Sequence, residues 1–397
     1  MSKIAEKTKK ETKSLPAFIS NIKWKYYANY IVVLAAMLVF SIMALAGGIK
    51  TSDTIILEKI AISIILAVSL SLVVGFLGEL SLGHAGFMCL GAYIGGTVAK
   101  ILAQTIGNNM FTFIISVLVG LVFAGFFGFI IGLPALRLKG DYLAIVTLAF
   151  GEIVKVIFQQ SEFFGGNLGQ ETPKYGHGLL DKKYFFIVAF VFVLITLAVI
   201  QNLMRSKHGR AITAIRDNEI AAKATGIDVT KYKLVAFIIS ACFAGVAGVL
   251  YSYINSNVQA PKFGYNYSIE ILVMVVLGGM GNISGSMISA TLVTILNEKL
   301  RVVLTGDLAV LKDLLYALIL ILMIIYNNAP AFREFKEKYN LRKLIEKIKK
   351  PKDDPSKIKD DTARWDVVPT KIPMDEVLSV DFTSQTDYTS DKPKENK

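Results

Sequence analysis

Four segments of the sequence hold polar and glycine residues in patterns that bear on chemistry. Residues 79–96 (ELSLGHAGFMCLGAYIGG) set Ser81 and His84 among Gly83, Gly86, Gly91, Gly95 and Gly96. In an apolar setting such glycines let helix backbones approach closely, or let a helix unwind so that freed N–H and C=O groups meet a polar solute. Ser81 and His84 are then candidates to hydrogen-bond that solute's polar head. Small-residue packing, with His84 bonded to a neighbouring carbonyl, is the other reading of the same residues. Residues 276–286 (VLGGMGNISGS) hold Gly278, Gly279, Gly281, Asn282, Ser284 and Ser286. No Lys-Ser/Thr pair follows and both flanks are apolar, so a hinge lined by Asn282 and Ser284 is expected there, not a phosphate loop. Glu270 is expected to open the preceding helix, where a carboxylate suits the positive end of the dipole.

The third segment is the polar insertion 209–226 (GRAITAIRDNEIAAKATG). Ala211, Ile212, Ile215 and Ala222 fit one helical stripe, Arg216, Asp217, Glu219 and Lys223 fit the other side, and Gly226 fits a helix C-cap. A short helix presenting both charge signs is a docking knob or, alternatively, a solvated loop helix. Asp228 or Thr230 is expected to cap the helix that follows. The fourth segment, 133–155, has Pro134 to end a helix, Arg137 and Lys139 beyond it, Asp141 to cap the next helix, and Glu152 with Lys155 as an i, i+3 ion pair. There is no Walker loop, nucleophile arrangement or metal cluster, and Cys89 and Cys242 both lie in apolar runs, so neither suggests a disulfide framework.

Composition states which elements must position these residues. Of 397 residues, 53% are hydrophobic and 19% charged, and the mean hydropathy is +0.53. A soluble globular enzyme, a disordered regulator and a secreted disulfide scaffold are thereby excluded. The chain reads as an all-α, polytopic membrane protein with Gly-rich broken helices. Apolar runs lie at about 29–48, 57–78, 111–133, 184–203, 234–255, 285–303 and 311–326, and 82–100, 141–159 and 268–280 are less regular candidates. Counting all gives about ten crossings, and re-entrant readings of 82–100 and 268–280 give about eight.

Charge placement orients these spans. Residues 1–27 carry seven Lys/Arg against two acids, 205–233 seven against three, and 327–397 sixteen against fourteen. Lys/Arg-rich loops stay in the cytoplasm. The expected organisation is a basic cytoplasmic tail at 1–27, a transmembrane domain at 28–326 with a cytoplasmic loop at 205–233, and a cytoplasmic tail at 327–397. The first apolar run is read as a spanning helix and not a cleaved signal peptide. Residues 333–352 are expected to form a basic amphipathic helix on the membrane surface, followed by a disordered stretch.

Four motifs in fixed order, SLGHAGFMCLGAYIGG, LPALRLKGDYLAIVTLAFGEI, GRAITAIRDNEIAAKATGIDVTKYKLVAFIISACFAGVAGVLY and VLGGMGNISG, resemble the LivM-type permeases of branched-chain amino acid ABC importers, in the LivH/LivM family. The resemblance spans roughly residues 55–305. It implies an import complex in a cell (inner or plasma) membrane: two homologous permease subunits, two cytoplasmic ATP-binding-cassette ATPases and an extracytoplasmic amino-acid-binding protein. No enzymatic centre, cofactor or nucleic acid belongs to this chain in that reading, since ATP and magnesium are used by the partner ATPases. The implied function is alternating-access import of leucine, isoleucine and valine. The implied coupling residues are Gly209, Arg210, Arg216, Asp217, Asn218, Glu219, Ala221, Ala222 and Gly226. Ala221-Ala222-x-x-x-Gly226 is similar to the general permease–ATPase docking motif, with Ile220 interposed after Glu219. Urea and short-amide permeases share these motifs. An ion-coupled carrier relaying charge through Asp141, Glu152 or His84 is the alternative from another class.

Overall fold

The computed structural model describes residues 24–46 and 51–303, save Lys139, Lys174, His177 and Ser256, together with Leu314, Ala317, Leu318 and Ile321. The chain divides into two units at Asn328, and the described residues all belong to the first. The N-terminal tail up to residue 23, the expected amphipathic helix at 333–352 and the tail after it lie outside the described residues, as does most of the run at 311–326.

The helices are α1 (Trp24–Leu45), α2 (Thr51–Ser71), α3 (His84–Leu90), α4 (Gly96–Thr105), α5 (Met110–Ala135), α6 (Asp141–Gln160), α7 (Phe185–Arg205), α8 (Lys207–Asp217), α9 (Glu219–Ala224), α10 (Val229–Ile254), α11 (Tyr265–Gly278) and α12 (Ile283–Val303). A π-helical segment Leu72–Leu77 extends α2, and another, Gly91–Gly95, joins α3 to α4 into one rod. Among the described residues, five helical stretches are long and apolar enough to cross a membrane: Ser52–Leu77, His84–Thr105, Met110–Ala135, Phe185–Arg205 and Val229–Ile254. Asn29–Leu45 and Tyr265–Gly278 are shorter apolar helices. The only strands among the described residues, β1 (Gln170–Glu171) and β2 (Asn257–Val258), pair antiparallel and tie the 161–184 connection to the turn after α10.

A helix without charges on any face belongs in the interior, and α2 behaves so beyond Lys59. From Ala61 to Leu72 its side chains are buried against α7, α10, α11 and α12. Around this post, α3, α5 and α10 meet along a seam of glycines. A Cβ on Gly91 would collide with the Gly245 carbonyl, one on Gly248 would stand 2.7 Å from the Ala92 nitrogen, and one on Gly245 would stand 2.7 Å from the Gly120 oxygen. In lipid no hydrophobic force draws helices together, so close backbone approach and the dispersion contacts it allows must do so. Large apolar side chains point outward, among them Val32 and Ile42 on α1 and Phe111 and Phe126 on α5.

Three local expectations are corrected. The non-helical break in the first Gly-rich segment is Gly78–Gly83, ahead of His84, while 84–96 stays helical. Asp141 is the first residue of α6 and makes no capping bond, because Gly140 holds the cap position. Helix α11 starts at Tyr265, so Glu270 lies in its second turn and does not open it.

Gly91→Leu should abolish recovery of monodisperse protein from detergent. Gly264→Ala, where the nearest atom to the new Cβ is 3.5 Å away, should leave yield within about twofold of the parent. Size-exclusion profiles of both check this.

Candidate functional site: a capped loop and two helix breaks

The connection from α7 to α10 is rigid because its helix ends are satisfied locally. Ser206 Oγ caps α8 by accepting from the His208 N–H at 3.1 Å and the Gly209 N–H at 3.4 Å. Asn218 has extended backbone, and its Oδ1 accepts from the Ile220 and Ala221 N–H groups, both at 3.0 Å. The single helix expected over 209–226 is therefore two, because an Asn side chain competes for helix donors and restarts the ladder. At the far end the Gly226 N–H donates to the Lys223 oxygen and the Ile227 N–H to the Ala222 oxygen, with Gly226 at φ +83°. This is the left-handed glycine cap foreseen for it. Asp228 then caps α10 through the Lys231 N–H at 3.1 Å, while Thr230 does not.

Gly209, Ala211, Ile212, Ile215 and Ala222 are buried as the stripe requires, and a Cβ on Gly209 would run into the Met204 backbone at the end of α7. Arg210, Asp217, Asn218, Ala221 and Lys223 are exposed, and Ile220 is 82% exposed. The connection thus presents one large apolar side chain, flanked by charges of both signs, away from the bundle.

Arg216 is also exposed, yet its guanidinium reaches back to the bundle. Arg216 donates through Nη1 to the Gly75 carbonyl at 3.1 Å while Nη2 holds Asp217 at 2.9 Å. The last carbonyls of a helix have no partner within it, and a cation there suits the negative end of the dipole. Gly78, at the end of the same π-segment, leaves room for the Arg216 stem: a Cβ on Gly78 would stand 2.6 Å from Arg216 Cγ. A Cβ on Gly281 would lie 3.4 Å from Arg216 Nη1, so one side chain reaches both helix breaks.

A second link lies beside it. Lys233, 5% exposed on the first turns of α10, pairs with Glu79 in the Gly78–Gly83 break and with Glu219 Oε2 at 3.1 Å. Glu219 also holds Lys223 at 2.7 Å. Hydrogen bonding from Lys223, with further bonding from Lys233, outweighs partial burial and brings the Glu219 carboxyl down to about 2. It is ionised throughout the physiological range. Glu79, Lys233, Gly75 and Gly78 were not singled out from the sequence. An ionisable residue such as Lys233 near the start of an apolar span is the signal that marks it.

The other nominated residues cluster near these breaks. At the α11–α12 break, Gly278 and Gly285 approach so closely that neither could carry a Cβ. Gly279 and Gly281 take φ of +88° and +79°, a region that disfavours other residues. Asn282 Oδ1 accepts from the Gly285 N–H at 3.2 Å, and Ser284 Oγ donates to Asn29 Oδ1 of α1 at 2.7 Å. Gly281 and Asn282 border a cavity of about 250 Å³ shared with Gln201 and Arg205. At the α2–α3 break, Gly83 packs on the Thr147 carbonyl of α6, and a Cβ on Gly86 would stand 2.7 Å from Gly151 Cα. His84 Nε2 is 2.8 Å from Ser69 Oγ, both buried, and Ser81 Oγ is buried without a partner among the described residues. The i, i+3 pair Glu152–Lys155 forms, and Glu152 Oε1 also accepts from the Tyr265 N–H at 2.8 Å, fastening α6 to the start of α11.

The family described as branched-chain amino acid transport system / permease component matches residues 54–325. The high-affinity branched-chain amino acid transport system permease protein LivM of Salmonella typhimurium is 35% identical over 310 residues, 71% of this chain and 70% of its own. The probable branched-chain amino acid transport permease protein LivH of Methanocaldococcus jannaschii is 27% identical over 263 residues, 64% of this chain and 79% of its own. The ribose import permease protein RbsC of Escherichia coli is 29% identical over 141 residues, 34% of this chain and 43% of its own. No solved structure matches the chain. With its apolar helices, its two glycine-rich breaks and a family match over most of its length, this multi-pass membrane protein belongs to the permease components of branched-chain amino acid transport systems.

Proposed function

We propose that this chain is one of two membrane subunits of an ATP-driven importer that carries leucine, isoleucine and valine into the cell. The cargo is that named for its LivM relatives, and the existence of LivH relatives favours a homologous second permease. The Lys/Arg excess at 205–233 supports a cytoplasmic loop, and the excess at 1–27 supports an N-terminus on the same side. The 161–184 connection then faces an extracytoplasmic binding protein. ATP and magnesium are used by two partner ATPases, and this chain holds no cofactor of its own.

One observation carries the mechanism: Arg216 joins the cytoplasmic loop to the end of α2 beside Gly281. Ile220, exposed between Asp217 and Lys223, is the knob that seats in an ATPase groove. When ATP closes the ATPases, the capped loop moves as one body. Arg216 and Lys233 pass that displacement to the breaks at Gly78–Gly83 and Gly279–Asn282, where α2, α11 and α12 can tilt without disturbing the glycine seam. Alternating access follows from rocking about those two points.

Labelled leucine uptake by cells lacking the gene should return when it is restored. That uptake should fail on ATP depletion and survive an ionophore at constant ATP. No leucine effect with restored urea uptake would replace the cargo, and collapse under the ionophore would replace the ATP-driven reading. Arg216→Glu should lower uptake at least about tenfold while the complex still assembles and hydrolyses ATP, since the reversed charge repels the Gly75 carbonyl. Normal uptake by that variant would remove Arg216 from the coupling path. Lys233→Met leaves the Glu79 carboxylate sparsely solvated and unpaired, a loss of about 3–5 kcal/mol. Its thermal midpoint in detergent should fall, and adding Glu79→Gln should recover much of the loss.

A further inference from the structure

At the end of the bundle opposite the 205–233 loop, a cavity of about 460 Å³ opens between α2, α10, α11 and α12. Its wall is unusual for this depth, because ionisable side chains in a spanning region are costly unless they serve a pathway or ligand. Lys59 and Glu298 pair across it at 2.7 Å. Glu270 accepts from Asn297 Nδ2 at 3.0 Å. Lys262 and Arg301, both exposed, stand where the cavity meets the surface. Ile62, Met88, Phe263 and Met274 supply the apolar part of the lining. None of the residues nominated from the sequence as path residues belongs to this wall.

We propose that this cavity is a binding site for a zwitterionic, aliphatic amino acid inside the permease itself, occupied after release from the binding protein. The proposal rests on the amino-acid cargo argued above. Glu270 receives the α-ammonium, Arg301 with Lys262 receives the α-carboxylate, and Ile62, Met88 and Met274 take the branched side chain. The volume is in the range of small-ligand sites. The distribution of charge discriminates between cargoes. A zwitterion replaces its water by partners of both signs, whereas urea, a short amide or a sugar brings no formal charge to meet them. Selection by the binding protein is thereby checked a second time, at the entrance to the path. The Lys59–Glu298 pair joins the cavity's two long helices, α2 and α12.

The test uses the whole complex, both permease subunits with ATPases and binding protein, in proteoliposomes. Glu270→Gln and Arg301→Gln should each lower leucine import about tenfold or more, as loss of a charge-assisted hydrogen bond does. Stimulation of ATP hydrolysis by leucine-loaded binding protein should stay within about twofold in both, which reports intact folding and coupling. Arg301→Lys should retain most import. Leucine import unchanged by both neutralisations overturns the site and leaves the cargo reading standing. Absence of leucine import by the unaltered complex overturns the cargo reading, and this site with it.

Discussion

The approach of α3 and α10 at Gly91 and Gly245 is closer than any side chain permits, and the rest of the bundle is arranged around it. Inside a bilayer, burying a leucine against a leucine gains little over leaving it in lipid, so cohesion comes from atoms brought close enough for dispersion. The glycine seam achieves this on one side of α2, and the buried stretch Ala61–Leu72 achieves it on the others. A rigid centre of this kind is also what lets motion be confined. With the seam fixed, movement is available only where backbone ladders are already interrupted, and among the described spans those interruptions fall at Gly78–Gly83 and Gly279–Asn282.

Both interruptions lie at one end of the bundle, and the charges of the α7–α10 loop meet them there. Arg216 satisfies an orphaned helix carbonyl, and Lys233 ties the break after α2 to the second short helix of the loop. Neither is a loose surface pair. Surface ion pairs contribute little and re-form easily, whereas a lysine 5% exposed between two carboxylates has no better place to go. The loop has its helix ends satisfied locally at Ser206, Asn218, Gly226 and Asp228. The opposite end is built differently, with aromatic and hydroxyl contacts such as Tyr93 to the Val258 carbonyl holding the strand pair and turns in place.

Much of this was readable from residue order. Runs of apolar residues placed the helices to within a few positions, because hydropathy is a property of local sequence. The stripe Ala211, Ile212, Ile215 and Ala222 and the caps at Gly226 and Asp228 were likewise local, and they hold. What sequence could not supply is tertiary partnership. Arg216 reads correctly as an exposed charge, but helical periodicity knows nothing of the Gly75 carbonyl that it also reaches, 141 residues away. The break before His84 was displaced because glycines in 84–96 serve packing and leave the helix intact, a choice decided by α5 and α10. Glu270 read as a dipole-matching carboxylate because only the fold brings Lys262, Asn297 and Arg301 around the same space.

The acceptor that Arg216 uses is main chain, and this bears on how the device can change over generations. A carbonyl oxygen is present whatever residue occupies position 75, so no point substitution there deletes it; Gly281 and Ser71 restrict what may sit at that place. Insertions and deletions act otherwise. One residue added to or removed from α2 would swing the Gly75 oxygen by about 100° and shift it by about 1.5 Å along the axis. The helix length between the 161–184 end and this carbonyl is therefore the inherited quantity that decides whether Arg216 meets its acceptor.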